Sequence, residues 1–290
     1  TSHTPGDYDS NTTKTSDIET AFLAAAEGAV WTTSASSPSS EVVVECHHLS
    51  FRSVFKDLSF QITRGSRTLL LGCNGSGKST LLNMMGGKQF FNNCNGALKI
   101  LGKCCYDDMT LNGSIAFCGD WWTNTPGGEM HVFEMLPNEA KTTTHHLSDR
   151  ATSVEMIRLS KRGELLVRLL DIDLNWDVRH ISAGEQKRVQ LLLHMYSDKP
   201  IVMLDEATAD LDVDQRHELL KFLYLESVLR GVTVIYTTHI FEGLHGWASE
   251  CVILDRTQGG VHTVLRGDIN LSNVTRTLVH LKSQEHFDDQ

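Results

Sequence analysis

The sequence predicts an α/β fold on a mostly parallel sheet, and three observations carry that expectation. From residue 41 onward, short apolar runs rich in β-branched residues recur along the chain. Helical periodicity separates several of these runs, so that strand and helix alternate. One run, "TLLL" (68–71), passes directly into a glycine-rich loop and an apolar helix start.

The elements follow in order. Residues 1–40 contain 16 Ser or Thr and little that could form a core, the composition of a mobile tail. Within it Ile18, Phe22, Ala25, Ala26, Ala29 and Val30 recur at helical spacing after Asp17, a candidate cap. Asp7, Asp9, Asp17 and Glu19 argue against a mitochondrial presequence. Strands are expected at 42–45, 58–62, 68–71, 97–101, 115–118, 201–204, 232–236 and 251–254. The early ones have short connections and suggest a separate antiparallel layer. Helices are expected at 163–171, 186–196 and 214–229, with a weak one near the C-terminus before an acidic end. Residues 123–162 are polar and irregular, with "KTTTHH" (141–146) as a loop, and no internal repeat is visible.

Composition narrows the function classes. The 290 residues are 40% hydrophobic, enough for a sizeable core. The net charge is -10 with scattered basic residues, so no direct grip on nucleic acid is expected. No apolar stretch reaches the roughly 20 residues that span a bilayer. Seven cysteines without a C-x-x-C pair are expected to be buried, reduced thiols of a cytoplasmic protein. The histidine doublets His47–His48 and His145–His146 lack the i, i+4 spacing of metal ligands.

The chemistry starts at "GCNGSGKST" (72–80), where Gly72, Gly77, Lys78 and Ser79 satisfy G-x-x-x-x-G-K-[ST] between a strand and a helix. Glycines let the backbone wrap a phosphate, and the helix start aims its N–H groups at it. The whole run Gly72, Cys73, Asn74, Gly75, Ser76, Gly77, Lys78, Ser79 and Thr80 is therefore the expected phosphate cradle. Lys78 is expected at the β- and γ-phosphates and the Ser79 hydroxyl at Mg²⁺. The strand "IVML" ends in Asp205 and Glu206, on the rim where parallel sheets bind ligands. Asp205 is expected to hold Mg²⁺, and Glu206 to orient or deprotonate an attacking water; an acidic pair after a strand also serves as a helix cap. His239, after the strand "VIYTT", is expected on the same rim. At "ISAGE" (181–185), Ser182 and Glu185 have capping-box spacing, while the same helix start suits an anion.

Together these residues resemble the ATP-binding cassette ATPases over roughly residues 41–267. The motif order agrees: cradle, then "ISAGE" where the family has L-S-G-G-Q, then "LDEATADLD" (204–212), then His239. The resemblance implies a P-loop NTPase cassette with a RecA-like core sheet, an antiparallel β layer and a helical subdomain at about 123–196. A C-terminal helix and tail would follow at 268–290. It implies ATP hydrolysis with Mg²⁺, a D-loop at "ADLD" with Asp212, and His239 as the switch histidine. It further implies that Ser182 and Gly184 contact the γ-phosphate of ATP held by a second cassette, most simply another copy in a head-to-tail dimer. An aromatic before the cradle should stack on adenine, and Phe51 and Phe55 are both candidates.

Three departures stand out. Ala183 and Glu185 replace the usual glycine and glutamine of the signature, and Asp120 occupies the place of the Q-loop glutamine, where an Asp could still meet Mg²⁺ or the water. A narrower likeness, in "LLVRLLDIDLNWDVRHISAGEQKRVQL" (165–191) and "TTHIFEGLHGWA" (237–248), is to the soluble, non-transporter cassettes associated with the Ccr-Not complex. That implies a regulator of a transcription and mRNA-decay complex, cytoplasmic and also nuclear. The alternatives are the ATP-driving subunit of a membrane transporter, or an ATP-dependent adaptor with little hydrolysis.

Overall fold

The computed structural model describes residues 40–91, 96–119, 122, 130–140 and 158–288. The Ser/Thr-rich tail to residue 39, the helix expected after Asp17, Cys94, Asp120, Trp121 and the "KTTTHH" loop lie outside the described residues. The chain divides into two compact units.

One unit takes residues 40–119, 199–209 and 231–288 and holds both sheets. A four-stranded antiparallel sheet has the order β2–β1–β4–β5, from β1 (Val42–Phe51), β2 (Phe55–Thr63), β4 (Leu98–Ile100) and β5 (Lys103–Cys104). A six-stranded sheet has the order β10–β9–β3–β8–β7–β6. Its strands are β3 (Arg67–Gly72), β6 (Ile115–Cys118), β7 (Ile201–Asp205), β8 (Thr233–Thr237), β9 (Glu250–Asp255) and β10 (Gly260–Arg266). All neighbours are parallel except β10 with β9. The parallel strands are nearly all buried, as sheets covered on both faces require, which is why "IVML" and "CVIL" carry no polar alternation. Helix α1 (Lys78–Met85) contributes Leu81, Leu82, Met84 and Met85 to a core shared with Val44, Leu58, Ile100 and Ile235.

β10 was not expected from the sequence. It reads "GVHTVLR", an edge strand only half buried, so it lacks the apolar run that marks its neighbours. The C-terminal helix, α6 (Leu271–Asp288), runs through most of the acidic end, where a tail was expected. Burial pushes the thiols of Cys46, Cys105, Cys118 and Cys251 up to about 12, so these cysteines are protonated and unreactive at neutral pH. Among the described residues no cluster of His, Cys, Asp and Glu could hold a metal ion, and no helix is long and apolar enough to cross a membrane.

The second unit takes residues 120–198 and 210–230, and its described residues form the helices α2 (Val132–Met135), α3 (Lys161–Leu169), α4 (Ala183–Met195) and α5 (Val213–Arg230). Its interior is tied by charge. Arg162 on α3 pairs with Glu226 on α5 at 2.6 Å, donates Nε–H to the Met195 carbonyl at 2.7 Å, and lies over the Phe222 ring. Arg230 reaches the other Glu226 oxygen at 3.1 Å and also pairs with Asp198. Glu226 is 1% exposed, so both guanidiniums are compensated inside the protein. Removing the shared carboxylate takes the ion-pair partner from buried Arg162 and leaves Arg230 only Asp198, and breaking a buried pair costs about 3–5 kcal/mol. Glu226→Ala is expected to lower the thermal midpoint by several degrees; a calorimetric scan unchanged from the parent would contradict this role.

Candidate functional site

The cradle forms because β3 ends in residues that cannot carry a side chain there. A Cβ on Gly72 would stand 2.4 Å from Ser76 Oγ and 2.9 Å from the Leu254 carbonyl oxygen. Gly77 has φ 95°, and a Cβ on it would meet Phe55 and Val54 at 2.6 and 2.7 Å. The chain can therefore turn tightly enough to start α1 at Lys78. That helix start carries no side-chain cap and no acidic residue in its first turn, so its N–H groups remain available to an anion. Lys78, mostly buried, donates from Nζ to the carbonyls of Gly72 and Cys73 at 2.9 and 3.0 Å, which lays its ammonium across the loop. Asn74, Gly75 and Ser79 are exposed, Cys73 and Thr80 half-buried, and Ser76 buried with its hydroxyl unpartnered. The chemistry fits a phosphate: an uncapped helix start, a cation and backbone free of side chains.

The sheet brings the acidic residues to the same edge. β3, β8 and β7 are adjacent and parallel, with Tyr236 level with both Leu69 and Leu204, and Thr237 level with Asp205. Gly72, Thr237 and Asp205 thus end three neighbouring strands on one side. The Thr237 hydroxyl donates to Asp205 Oδ1 at 2.6 Å and fixes that carboxylate. Glu206 follows in a left-handed conformation, φ 52°, rare for a residue with a Cβ, and its N–H donates to the Thr237 carbonyl at 3.1 Å. His239 lies against the Glu206 carboxylate: its backbone N–H donates to Oε2 at 3.3 Å, and its Nε2 lies 3.1 Å from Oε1, a buried oxygen with no hydrogen-bond partner among the described residues. Sequence reasoning missed Thr237, since its role depends on strand register. Gly119 also packs here: a Cβ on it would lie 2.9 Å from Asp205 Cβ. Asp120 itself is not among the described residues.

Beside the cradle is a cavity of about 340 Å³ whose lining includes Cys73, Asn74, His239, Arg256 and Lys282. Of the two aromatics expected to meet adenine, Phe55 is corrected. It is 1% exposed, and its ring fills the space beside Gly77, leaving no face for a base. Phe51 is half-buried against the core, with the Arg52 guanidinium 4.9 Å above its ring.

In the helical unit the capping box at the start of α4 is formed. Ser182 N–H donates to Glu185 Oε2 at 2.7 Å, and Glu185 N–H to Ser182 Oγ at 3.3 Å. Hydrogen bonding to Ser182 holds the Glu185 carboxyl below its usual range. Gly184 packs beside the Asp210 carbonyl, and Lys187 pairs with Asp210 at 2.6 Å. Asp212 caps α5 by accepting from Gln215 N–H at 2.8 Å.

A model of the ABC transporter family matches residues 55–209, which include the cradle, the α4 start and the Asp205–Glu206 pair. The chain belongs to the ATP-binding cassette family. Over 204 residues it is 34% identical to ABC transporter I family member 21 of Arabidopsis thaliana, covering 70% of this chain and 69% of that protein. It is 32% identical to CCR4-associated factor 16 of Saccharomyces cerevisiae, covering 73% of this chain and 75% of that protein. Its fold is similar to that of an ATP-binding cassette solved as a dimer in a post-hydrolysis state with ADP and phosphate. That likeness has a TM-score of 0.57 at 19% identity, over 78% of this chain and 97% of that one. The cassette binds ATP and is an ABC-type ATPase.

Proposed function

We propose that this cassette hydrolyses Mg-ATP in a head-to-tail dimer of two copies and uses the cycle to change the state of a protein assembly of the Ccr-Not type. One observation carries the catalytic part. The Glu206 carboxylate is held from one side by His239, next to an Asp205 fixed by Thr237, on the sheet edge where the uncapped α1 starts. In this reading Lys78 and the N–H groups of residues 74–79 bind the phosphates, Glu206 orients or deprotonates the attacking water, and His239 stabilises charge on the γ-phosphoryl group. Ser79 and Asp205 are the oxygen donors that would hold Mg²⁺, which when bound neutralises charge developing on the β- and γ-oxygens.

The chain carries one cradle and one signature helix, so the reading gives Ser182 and Gly184 to the nucleotide of a second copy. The dimeric solved cassette supports this, and the name of the yeast relative supports the assembly, with a site of action in cytoplasm or nucleus. The formed capping box favours a second reading. Glu185 already occupies the Ser182 N–H and sets a carboxylate where a γ-phosphate would dock, which suits a slow ATPase acting as an adaptor. Steady-state turnover measured across protein concentration tests the proposal. Specific activity should rise with concentration and saturate as the dimer forms; a flat, nonzero rate down to high dilution would contradict a shared site.

A further inference from the structure

Helix α6 brings a cation to the cradle from far outside the phosphate-binding motif. Its buried residues Leu271, Val274 and Leu281 anchor it on its own unit. Beside them Thr275, Leu278, Val279 and Lys282 recur at i, i+3, i+4 and i+7, the spacing that puts four side chains on one stripe of a helix. All four line the cavity beside the cradle, together with Gly72, Cys73 and His239. The Cys73 thiol donates to the Leu278 carbonyl at 3.7 Å, so the helix rests on the loop itself.

The cavity is electrically one-sided. Among the described residues its lining holds Arg256, Lys282 and His239 and no carboxylate. The Arg256 side chain lies along the loop, with Nε 3.7 Å from a Cβ built on Gly75. Lys282 is exposed and, among the described residues, has neither a hydrogen bond nor an ion pair. An ammonium on a flexible four-carbon stem can swing onto an oxyanion without moving its helix. A triphosphate gripped at the α1 start extends its γ-phosphate between the cradle and His239, the two features this cavity joins; a diphosphate ends short of it.

We propose that Lys282 is the residue by which this chain tells ATP from ADP: its ammonium, carried on α6, closes onto the γ-phosphate across the cavity. This rests on the ATP-binding reading above and adds a specificity determinant to it. It also gives α6 a part in the cycle. The helix is tied to the nucleotide while a γ-phosphate is present and loses that tie once the phosphate has left.

Equilibrium titration of the full chain with Mg-ADP and with the Mg complex of a non-hydrolysable imido analogue of ATP, for the parent, Lys282→Met and Lys282→Arg, tests the proposal. The titrations are run where light scattering gives the monomer mass, so that only one chain's residues meet the nucleotide. Methionine keeps an unbranched, helix-favouring stem and removes only the charge. Lys282→Met should weaken the triphosphate by about 5- to 30-fold, the scale of one charge-assisted hydrogen bond reduced by solvent, and leave ADP unchanged. Lys282→Arg should restore the preference for the triphosphate. An equal loss for ADP, no loss for the triphosphate, or an arginine variant as weak as the methionine one would each overturn the role of Lys282 and leave nucleotide binding standing. A parent that binds neither nucleotide would overturn the ATP reading and this one with it.

Discussion

Glu206→Gln is expected to lower ATP turnover by roughly 10²–10⁴-fold, the usual yield of a positioned acid–base group, while ATP binding persists. The amide is nearly isosteric, so the hydrogen bond from His239 N–H at 3.3 Å survives and the left-handed turn at residue 206 is undisturbed. What disappears is the negative charge and its capacity to take a proton. The effect should therefore fall on kcat with little change in nucleotide affinity, because in the proposed mechanism the carboxylate acts on the water and not on the bound phosphates. Single-turnover measurement with radiolabelled ATP separates the two. Equal rates for parent and variant would remove Glu206 from the mechanism, and a collapse in affinity would make it a binding residue instead.

Lys78→Ala is the second large effect, and it acts one step earlier. The Lys78 ammonium bonds two carbonyls of its own loop at 2.9 and 3.0 Å, so the cation is already desolvated and aimed across the cradle before any nucleotide arrives. Charge-assisted hydrogen bonds contribute about 1.5–3 kcal/mol each, and exchanging two carbonyl partners for phosphate oxygens strengthens both. Losing the ammonium should weaken ATP by at least about 100-fold. The same substitution leaves the Gly72 and Cys73 carbonyls without that donor, so a loss of thermal stability of about 1–2 kcal/mol should accompany it. Titration calorimetry and a thermal scan check the two parts. Parent-like ATP affinity would contradict the assignment of the cradle.

The two variants divide the site into a part that binds and a part that reacts, and the sequence displayed these parts unequally. The cradle was legible because its chemistry is contiguous: strand, glycines, lysine and helix occupy residues 68–85 in one run. The buried strands of the parallel sheet were legible for the same reason, being unbroken apolar runs. What depends on register was hidden. Thr237 fixes Asp205 across 32 residues of sequence, and nothing in "VIYTT" marks it for that task. Burial was hidden as well. Phe51 and Phe55 look equivalent in "FRSVF", and only the packing beside Gly77 separates the enclosed ring from the one carrying Arg52. Ser182 and Glu185 were compatible with both a cap and an anion site, and the structure has the cap formed in the single chain. The grouping of α5 with α3 and α4 was invisible in element order, because it follows from the buried Arg162–Glu226 pair.

The formed cap sharpens the question of what a second copy does. Glu185 must release the Ser182 N–H if a γ-phosphate is to take its place, and two anions competing for one helix start cannot both hold it. In the proposed shared site, dimerisation is therefore driven by a nucleotide that stays intact. The decisive measurement is the mass of Glu206→Gln in solution by light scattering, with Mg-ATP and with Mg-ADP. Twice the monomer mass with Mg-ATP and the monomer mass with Mg-ADP is the predicted result. A monomer under both conditions, at concentrations where ATP is bound, would contradict the shared site.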